Sequence, residues 1–378
     1  MSAARGKSVA RGRKMRVLCP YPEDVAAGQR LKFEQYYADW RAHGWTVDVS
    51  PFMDLKLWTV LFERGHLPRK LAGVVKGYWR RLADLRRLRN YDLVYCFMYA
   101  GPLGGPQLER VVRKRSRRLI YDVEDNVTVS FAERADEHPN PLLRWLRGTE
   151  KYRYLIREAD HVIASSPELA DHCRGLNRNR AATYITSSLD SERFEPRREQ
   201  ANGQLTIGWT GTFSSRPYLD LLAPVLARLA KERTFRLRVI GNFDYQLPGV
   251  DLEVLRWSEA EEVDQLRGID IGLYPLPADV WVSGKSGLKA ITYMMMGIPC
   301  VATNVGTTPL IIEDGVNGLL ATSQDDWFEA LRRLIDDPAV RKAIGKRARA
   351  DAVANYSRKA VAARYRAVLD AVMKDRGS

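Results

Sequence analysis

Residues 205–241 read LTIGWTGTFSSRPYLDLLAPVLARLAKERTFRLRVIG, and this stretch decides the fold class. Its two ends, 205–211 and 235–241, are short runs rich in β-branched and aromatic residues, which is typical of buried strands. The residues between them have helical periodicity. A strand, a helix and a second strand in this order predict a βαβ unit and therefore a parallel sheet.

The same alternation of strand and helix runs through the rest of the chain in two sets. The predicted strands are 15–21, 46–52, 92–97, 118–123 and 161–166 in the first set, and 205–211, 235–241, 252–257, 270–276 and 298–304 in the second. A polar stretch, 189–204, separates the sets. The sequence predicts an α/β protein with two doubly wound domains, 15–190 and 200–355, and a ligand site in the cleft between their sheet edges.

Composition excludes several classes of protein. With 378 residues, 45% of them hydrophobic, the chain can fill two cores, which excludes a disordered protein or a small disulfide scaffold. The sequence contains no run of about 18 uncharged apolar residues, so no membrane-spanning helix is predicted. The four cysteines form no CxxC pair, which fits reduced thiols and a cytoplasmic protein. Residues 1–14 are basic and are expected to form a disordered tail.

Positive charge is concentrated in the first half of the chain. The net charge is +14, and residues 1–200 carry +12 of it. Residues 67–90, LPRKLAGVVKGYWRRLADLRRLRN, predict a basic amphipathic helix, and VVRKRSRRL at 111–119 adds a second basic patch. The helix either lies on an anionic membrane surface or is a domain helix with a solvated basic face. No recognised nucleic-acid-binding motif accompanies these patches, so no nucleic-acid partner is expected.

The densest candidate for chemistry is 281–304, which runs from a loop through a helix into a strand. Ser283 or Ser286 is expected to cap this helix, which would direct its first N–H groups, at Gly287 and Leu288, towards a phosphate in the cleft.

Two lysines lie close to the start of the same helix. Lys285 and Lys289 stand where the helix dipole disfavours cations, which suggests an anion between them. The alternative is that both are simply solvated. The GKS triplet at 284–286 resembles a Walker A loop, but Asp279 replaces the required glycine and excludes a P-loop.

A glycine-rich turn follows the strand at 205–211. Gly208 and Gly211 would let the backbone approach a ligand, and Thr212 can cap the next helix and offer a hydroxyl group. The spacing is not GxGxxG, so NAD binding is not supported. A purely structural turn is the alternative.

The corresponding turn of the first domain contains Gly28, Gln29 and Arg30. Arg30 could reach an anionic group across the cleft, or it could pair with Glu34 one helical turn away.

Carboxylates close the strand at 118–123. Asp122 and Asp125 are candidates for general base work or for binding sugar hydroxyl groups, and capping of a turn is the alternative for Asp125. The five histidines form no HExxH motif, and no metal site or cofactor is expected.

These segments together resemble the family-4 glycosyltransferases, a GT-B family. The resemblance rests on IGWTGTFSSRPYL, on residues 254–306 and on IIEDGVNGLLA, with LIYDVEDNV and EADHVIASSPELADHC in the first half. It implies two Rossmann-like domains, a nucleotide-sugar donor held by the second, an acceptor met by the first, retention of anomeric configuration and no metal. It also implies that a last helix within 356–378 packs back on the first domain.

The resemblance is incomplete at the donor site. A pair of glutamates that many members carry is replaced by Gly284 and Thr292, and Thr292 would offer the donor ribose only a hydroxyl group. The family's Arg and Lys after the glycine turn align with Thr212 and Pro217. Lys285 and Lys289 therefore become the candidates for neutralising the diphosphate, with Ser286, Gly287 and Leu288 at the phosphate-facing helix start.

The resemblance predicts a glycosyltransferase. Its expected acceptor is lipid-linked or a polysaccharide, as in cell-envelope or exopolysaccharide biosynthesis. The basic helices of the first half suggest that the enzyme is peripheral at the inner membrane face. Because the glutamates are missing, a non-catalytic nucleotide-sugar-binding or assembly subunit is the alternative.

Overall fold

Two parallel six-stranded sheets form the framework of the protein. The computed structural model describes residues 12–61, 63–124, 148, 150–196, 204–277 and 285–374. The strands of the first sheet are β1 Arg13–Cys19, β2 Trp45–Pro51, β3 Leu93–Phe97, β4 Leu119–Val123, β5 His161–Ala164 and β6 Ala182–Tyr184. Those of the second are β7 Thr206–Thr210, β8 Arg236–Gly241, β9 Asp251–Arg256, β10 Ile271–Tyr274, β11 Cys300–Thr303 and β12 Leu319–Ala321.

Helices connect the strands and cover both sheets. They are α1 Ala27–Lys32, α2 Tyr37–Ala42, α3 Leu55–Val60, α4 Leu67–Arg87, α5 Gln107–Arg115, α6 Glu150–Glu158, α7 Pro167–Leu176, α8 Arg216–Asp220, α9 Ala223–Glu232, α10 Glu262–Arg267, α11 Leu288–Met295, α12 Thr308–Ile311, α13 Gln324–Asp336, α14 Pro338–Tyr356 and α15 Arg358–Lys374. Three-residue 3-10 turns lie at Glu34–Tyr36, Leu88–Asn90 and Phe213–Ser215.

The ten predicted strands are confirmed, and the two additional strands are edge strands of three residues. β6 and β12 were not predicted because a run of three residues is too short to show a period. β1 begins at Arg13, so the predicted tail of 14 residues overlaps the first strand. The central strands β3, β4 and β10 are buried at every position, as expected for parallel strands with helices on both faces.

The last helix, α15, belongs to the core of the first domain. Val361, Tyr365 and Leu369 pack there among residues of β1 and β3. The Tyr365 ring lies 4.8 Å from that of Tyr36, centroid to centroid. A single bridge between Leu189 and Ser357 marks the place where the chain leaves the first domain and later returns to it.

Strand order identifies where a ligand would bind. In the second sheet the order is β12-β11-β10-β7-β8-β9, so the direction of winding reverses between β7 and β10. In the first sheet the order β2-β1-β3-β4-β5-β6 reverses between β1 and β3. Crevices form beyond the carboxyl ends of strands at such reversals, because the loops there turn away in opposite directions.

Candidate functional site

The two domains meet beyond the carboxyl ends of their strands. Thr186, which follows β6 of the first sheet, donates from its hydroxyl group to the carbonyl oxygen of Ser286 in the second domain at 3.3 Å. Ser286 immediately precedes the segment that enters α11. The start of α11 therefore lies at the boundary between the domains, as expected for a phosphate site in the cleft.

The glycine turn after β7 forms one wall of this site. The N–H of Gly211 donates to the carbonyl oxygen of Ile240 at 2.9 Å, and a Cβ atom at Gly211 would overlap the Trp209 ring and the Ser215 hydroxyl group. Thr212 and Ser215 cap each other reciprocally around a 3-10 turn. The chain therefore bends tightly here because residue 211 has no side chain.

Gly208 lies within β7 and is buried. A Cβ atom there would overlap Ile269, and its carbonyl oxygen accepts a hydrogen bond from the Tyr293 hydroxyl group at 3.3 Å. Packing thus accounts for the glycine, and its predicted contact with a donor stays a prediction.

Gly287, not a serine, occupies the N-cap of α11. It adopts a left-handed conformation with φ of +71°, and no side chain caps the helix there, so the predicted cap by Ser286 is wrong. Ser283 and Gly284 lie outside the described residues. The first N–H groups of any helix lack acceptors within it. Those of Leu288 and Lys289 are consequently suited to bind an anion.

The two predicted lysines lie on aromatic rings beside the helix start. The Lys289 ammonium is 4.6 Å from the Trp209 ring centroid and 3.3 Å from the Ser215 hydroxyl oxygen, to which it donates. Lys285 lies 5.8 Å from the Tyr218 ring centroid. Trp209 and Ser215 belong to the strand and the turn on the opposite wall, so Lys289 bridges the glycine turn and α11.

The charge of Lys289 is poised to respond to a ligand. Burial, together with the nearby positive charge of Lys285, lowers the pKa of its ammonium group to about 7. An anion placed between the two lysines would favour the charged form. The arrangement is therefore able to stabilise negative charge that develops on a bound phosphate.

Thr292 does not present its hydroxyl group to this site. The residue is 9% exposed, and its hydroxyl group donates to the Leu288 carbonyl oxygen at 2.8 Å within the helix. A ribose contact from Thr292 would require this bond to break, which the sequence alone could not show.

In the first domain, Gly28 and Gln29 hold the turn together. A Cβ atom at Gly28 would overlap the Glu124 carboxylate, so only glycine allows this approach. Gln29 is 1% exposed, and its amide group donates to the Tyr21 carbonyl oxygen at 2.9 Å and to the Glu34 carboxylate. The buried amide therefore fixes the turn, and a direct acceptor contact by Gln29 stays a prediction.

Arg30 reaches across the cleft, and the alternative pairing with Glu34 is wrong. Its guanidinium group forms an ion pair with Glu259 and lies 4.0 Å from the Glu262 carboxylate, both in the second domain. Arg193 adds ion pairs to the same two carboxylates at 3.5 and 3.6 Å. Sequence reasoning missed Arg193, Glu259 and Glu262, because residues far apart in the chain give no local signal of pairing.

Asp122 is enclosed in the first domain and does not face the cleft. Its side chain has no exposed surface, lies 2.5 Å from the Lys32 ammonium and accepts a hydrogen bond from the Tyr95 hydroxyl group. Burial raises the pKa of the Asp122 carboxyl group. The buried pair with Lys32 does not favour the general-base interpretation, which stays a prediction. Asp125 lies outside the described residues.

Within the described residues, side-chain clusters and helix hydropathy bear on metal binding and membrane crossing. No group of three or more His, Cys, Asp or Glu side chains is arranged to hold a metal ion within them. None of the described helices is long and apolar enough to cross a bilayer.

Comparison with known proteins covers both domains. Residues 204–337 match the family described as "Glycosyl transferases group 1", and residues 7–186 match "Glycosyl transferase 4-like domain". The chain is 39% identical over 313 residues to a D-inositol 3-phosphate glycosyltransferase of Actinosynnema mirum, covering 75% of this chain and 73% of that protein. A Saccharomonospora viridis protein of the same name is 26% identical over 319 residues, covering 76% of this chain and 72% of that protein.

Solved structures show the same architecture. Sucrose-phosphate synthase of Thermosynechococcus elongatus superposes with a TM-score of 0.68 at 16% identity, covering 95% of this chain and all of that chain. HepE of Anabaena, in complex with UDP-glucose, superposes with a TM-score of 0.65 at 15% identity, covering 95% and 99% of the two chains. The architecture is the GT-B fold, with two Rossmann-like domains.

Proposed function

Because the chain belongs to the group 1 glycosyltransferases with a family-4-like first domain, we propose that it transfers a sugar from a nucleoside-diphosphate sugar to a lipid-linked or polysaccharide acceptor. The observation that carries the donor assignment is the meeting of Lys289, Ser215 and Trp209 at the open start of α11. The complexes of HepE with UDP and UDP-glucose favour a uridine diphosphate donor.

The chemistry follows from where charge develops. Breaking the bond between the anomeric carbon and the diphosphate leaves negative charge on the departing phosphate oxygen. The N–H groups that open α11 and the ammonium groups of Lys285 and Lys289 are fixed before the reaction, so stabilising this charge requires little reorganisation. Transfer with retention of configuration and without a metal ion is part of the proposal.

The first test is donor turnover. The purified protein is incubated with UDP-, GDP- and ADP-sugars, and release of the nucleoside diphosphate is followed with and without acceptor glycans. Transfer or slow hydrolysis of one donor supports the proposal. Failure to turn over any donor that raises the melting temperature would instead favour the non-catalytic binding subunit. Proton NMR of the new glycosidic bond reports whether the anomeric configuration is retained.

A second acceptor class has specific support. The relatives from Actinosynnema mirum and Saccharomonospora viridis carry the name D-inositol 3-phosphate glycosyltransferase, which favours a small phosphorylated polyol. Inositol 3-phosphate and lipid-linked glycans are therefore offered in parallel with the same donor. Transfer to inositol 3-phosphate alone would reject the lipid-linked or polysaccharide acceptor and retain the donor assignment.

A further inference from the structure

Helix α4 exposes an apolar stripe that nothing in the described structure covers. Five large apolar side chains on it are between 46% and 65% exposed: Leu67, Leu71, Val75, Trp79 and Leu82. At about 100° per residue they fall within a sector of roughly 120° of the helix surface. The buried residues Gly77, Arg81 and Asp84 lie on another side of the helix, and the buried Leu85, in line with Leu67, marks the edge between the two faces. The stripe is therefore additional to the face that packs on the domain.

Neighbouring structure extends this stripe and holds it rigid. Tyr78 exchanges hydrogen bonds with the backbone of Leu103, 3.0 Å in each direction, which places Leu103, itself 49% exposed, beside the helix. Arg81 is buried and donates to the carbonyl oxygens of Ala100 and Cys19, each at 2.8 Å. The helix is thus fixed to the sheet by buried bonds while its apolar side chains remain outside.

A cationic cavity lies next to the stripe, between α3 and α4. It has a volume of about 550 Å³. Lys56, Arg69 and Lys76 line it, with Asp54 as the acidic side chain. Asp54 is bound by the Lys76 ammonium at 2.8 Å and also caps α3, so it offsets part of the charge of Lys76. The other two cations give the cavity a net positive charge.

The charge of α4 restricts what can cover it. Residues 67–87 contain seven basic side chains and one acidic one, Asp84, which is buried against Arg81 and Arg16. A second copy of the chain would bring two such faces together in a symmetric dimer and would suffer repulsion between like charges. A surface that combines hydrocarbon with anionic groups complements both the stripe and the cavity.

The geometry points to an anionic lipid bilayer as the occupant of this surface, which we call the α3–α4 face (residues 55–61, 63–82 and Leu103). The helix lies in the plane of the interface, the stripe enters the acyl boundary, and Lys56 and Arg69 contact lipid phosphates. Trp79 is suited to the interface because its ring is apolar and its N–H is polar. The inference does not depend on the identity of the donor, because the face is separate from the lysines at α11.

Vesicle co-sedimentation of the full chain tests this inference. Vesicles of phosphatidylcholine with about 30% phosphatidylglycerol are compared with phosphatidylcholine alone, at about 0.1 M salt. We expect the wild type to bind the anionic vesicles at least tenfold more strongly. The double variant Leu71→Glu, Val75→Glu should lose at least tenfold of that binding, and Lys56→Gln, Arg69→Gln should lose several-fold.

The matched control is Leu310→Glu. Leu310 is 63% exposed, like Leu67, but lies on α12 of the second domain. Its variant should bind vesicles like the wild type, and all variants should keep the wild-type melting temperature and the same donor hydrolysis in the absence of lipid. Quenching of tryptophan fluorescence by brominated lipid should fall in Trp79→Phe.

Three outcomes would overturn the inference. They are no preference for anionic vesicles, equal binding by wild type and the double glutamate variant, and a concentration-dependent dimer in light scattering that the double variant abolishes. The last outcome would assign the face to a second copy of the chain. If the wild-type protein binds anionic vesicles but turns over no donor, the proposed function is refuted and this inference still stands.

Discussion

Replacing Lys289 with methionine gives the sharpest test of the donor site. Methionine keeps an unbranched apolar side chain against Trp209 but removes the ammonium group that lies 4.6 Å from the ring centroid and donates to Ser215. The variant therefore removes a charge with little change in packing. We expect turnover of the donor to fall about a hundredfold.

The magnitude follows from two estimates. A hydrogen bond to a charged group contributes about 1.5–3 kcal/mol. A unit charge about 4 Å from a phosphate oxygen contributes about 4 kcal/mol at an effective dielectric constant of about 20, as an upper bound. At about 1.4 kcal/mol for each factor of ten, these values correspond to roughly 10- to 1000-fold in rate, with the hundredfold expectation between them.

The assay measures kcat/KM from release of the nucleoside diphosphate, and the melting temperature with and without donor. Because burial disfavours the charge of Lys289, the free Lys289→Met protein should be at least as stable as the wild type, but donor should no longer raise its melting temperature as much. Lys231→Met, at an exposed lysine on α9, is the matched control. A kcat/KM within threefold of wild type would refute the role of Lys289.

Three further predictions test the pH response and two structural positions. Since the pKa of Lys289 is lowered to about 7, its charged fraction falls as pH rises through 7, and donor affinity should weaken above that pH. Calorimetric titrations from pH 6 to 9 measure this change. In Lys289→Arg, which stays charged, donor affinity should depend less on pH. In Gly287→Ala, the new Cβ atom would sit on a left-handed backbone and overlap Ile311. Chemical denaturation should therefore show a free energy of unfolding that is about 1–3 kcal/mol lower than in the wild type. An unchanged free energy of unfolding would contradict the φ of +71°. Asp122→Asn leaves the buried Lys32 ammonium without its countercharge and should cost about 3–5 kcal/mol; full stability with lost turnover would instead restore the general-base interpretation.

The ion pairs across the cleft hold the two domains in the observed arrangement. Arg30 and Arg193 share Glu259 and Glu262, while Thr186 bonds to Ser286 nearer the site. The Glu262 carboxyl group is largely buried, which raises its pKa, whereas Glu259 is about half exposed. The pairs to the half-exposed Glu259 contribute little to stability individually, so their main effect is to orient the two domains.

Local sequence patterns were sufficient for the fold class and for the group of residues that the structure brings together at the start of α11. Strands such as 205–211 and 235–241 were predictable because a buried parallel strand needs a short, nearly continuous apolar run. The glycine turn at 211 and the lysines at 285 and 289 were predictable as a group, since parallel strands bring their carboxyl ends to one edge of the sheet.

What the tertiary structure alone decided is which of these side chains is presented to the cleft. Asp122 and Gln29 carry the polar groups expected of a site, yet burial commits them to Lys32 and to the Tyr21 turn. Thr292 commits its hydroxyl group to its own helix. The physical reason is that a buried polar group must find a partner wherever the fold places one. For Asp122 that partner is 90 residues away in sequence, and for Gln29 and Thr292 it depends on a turn or a helix start that no local pattern fixes.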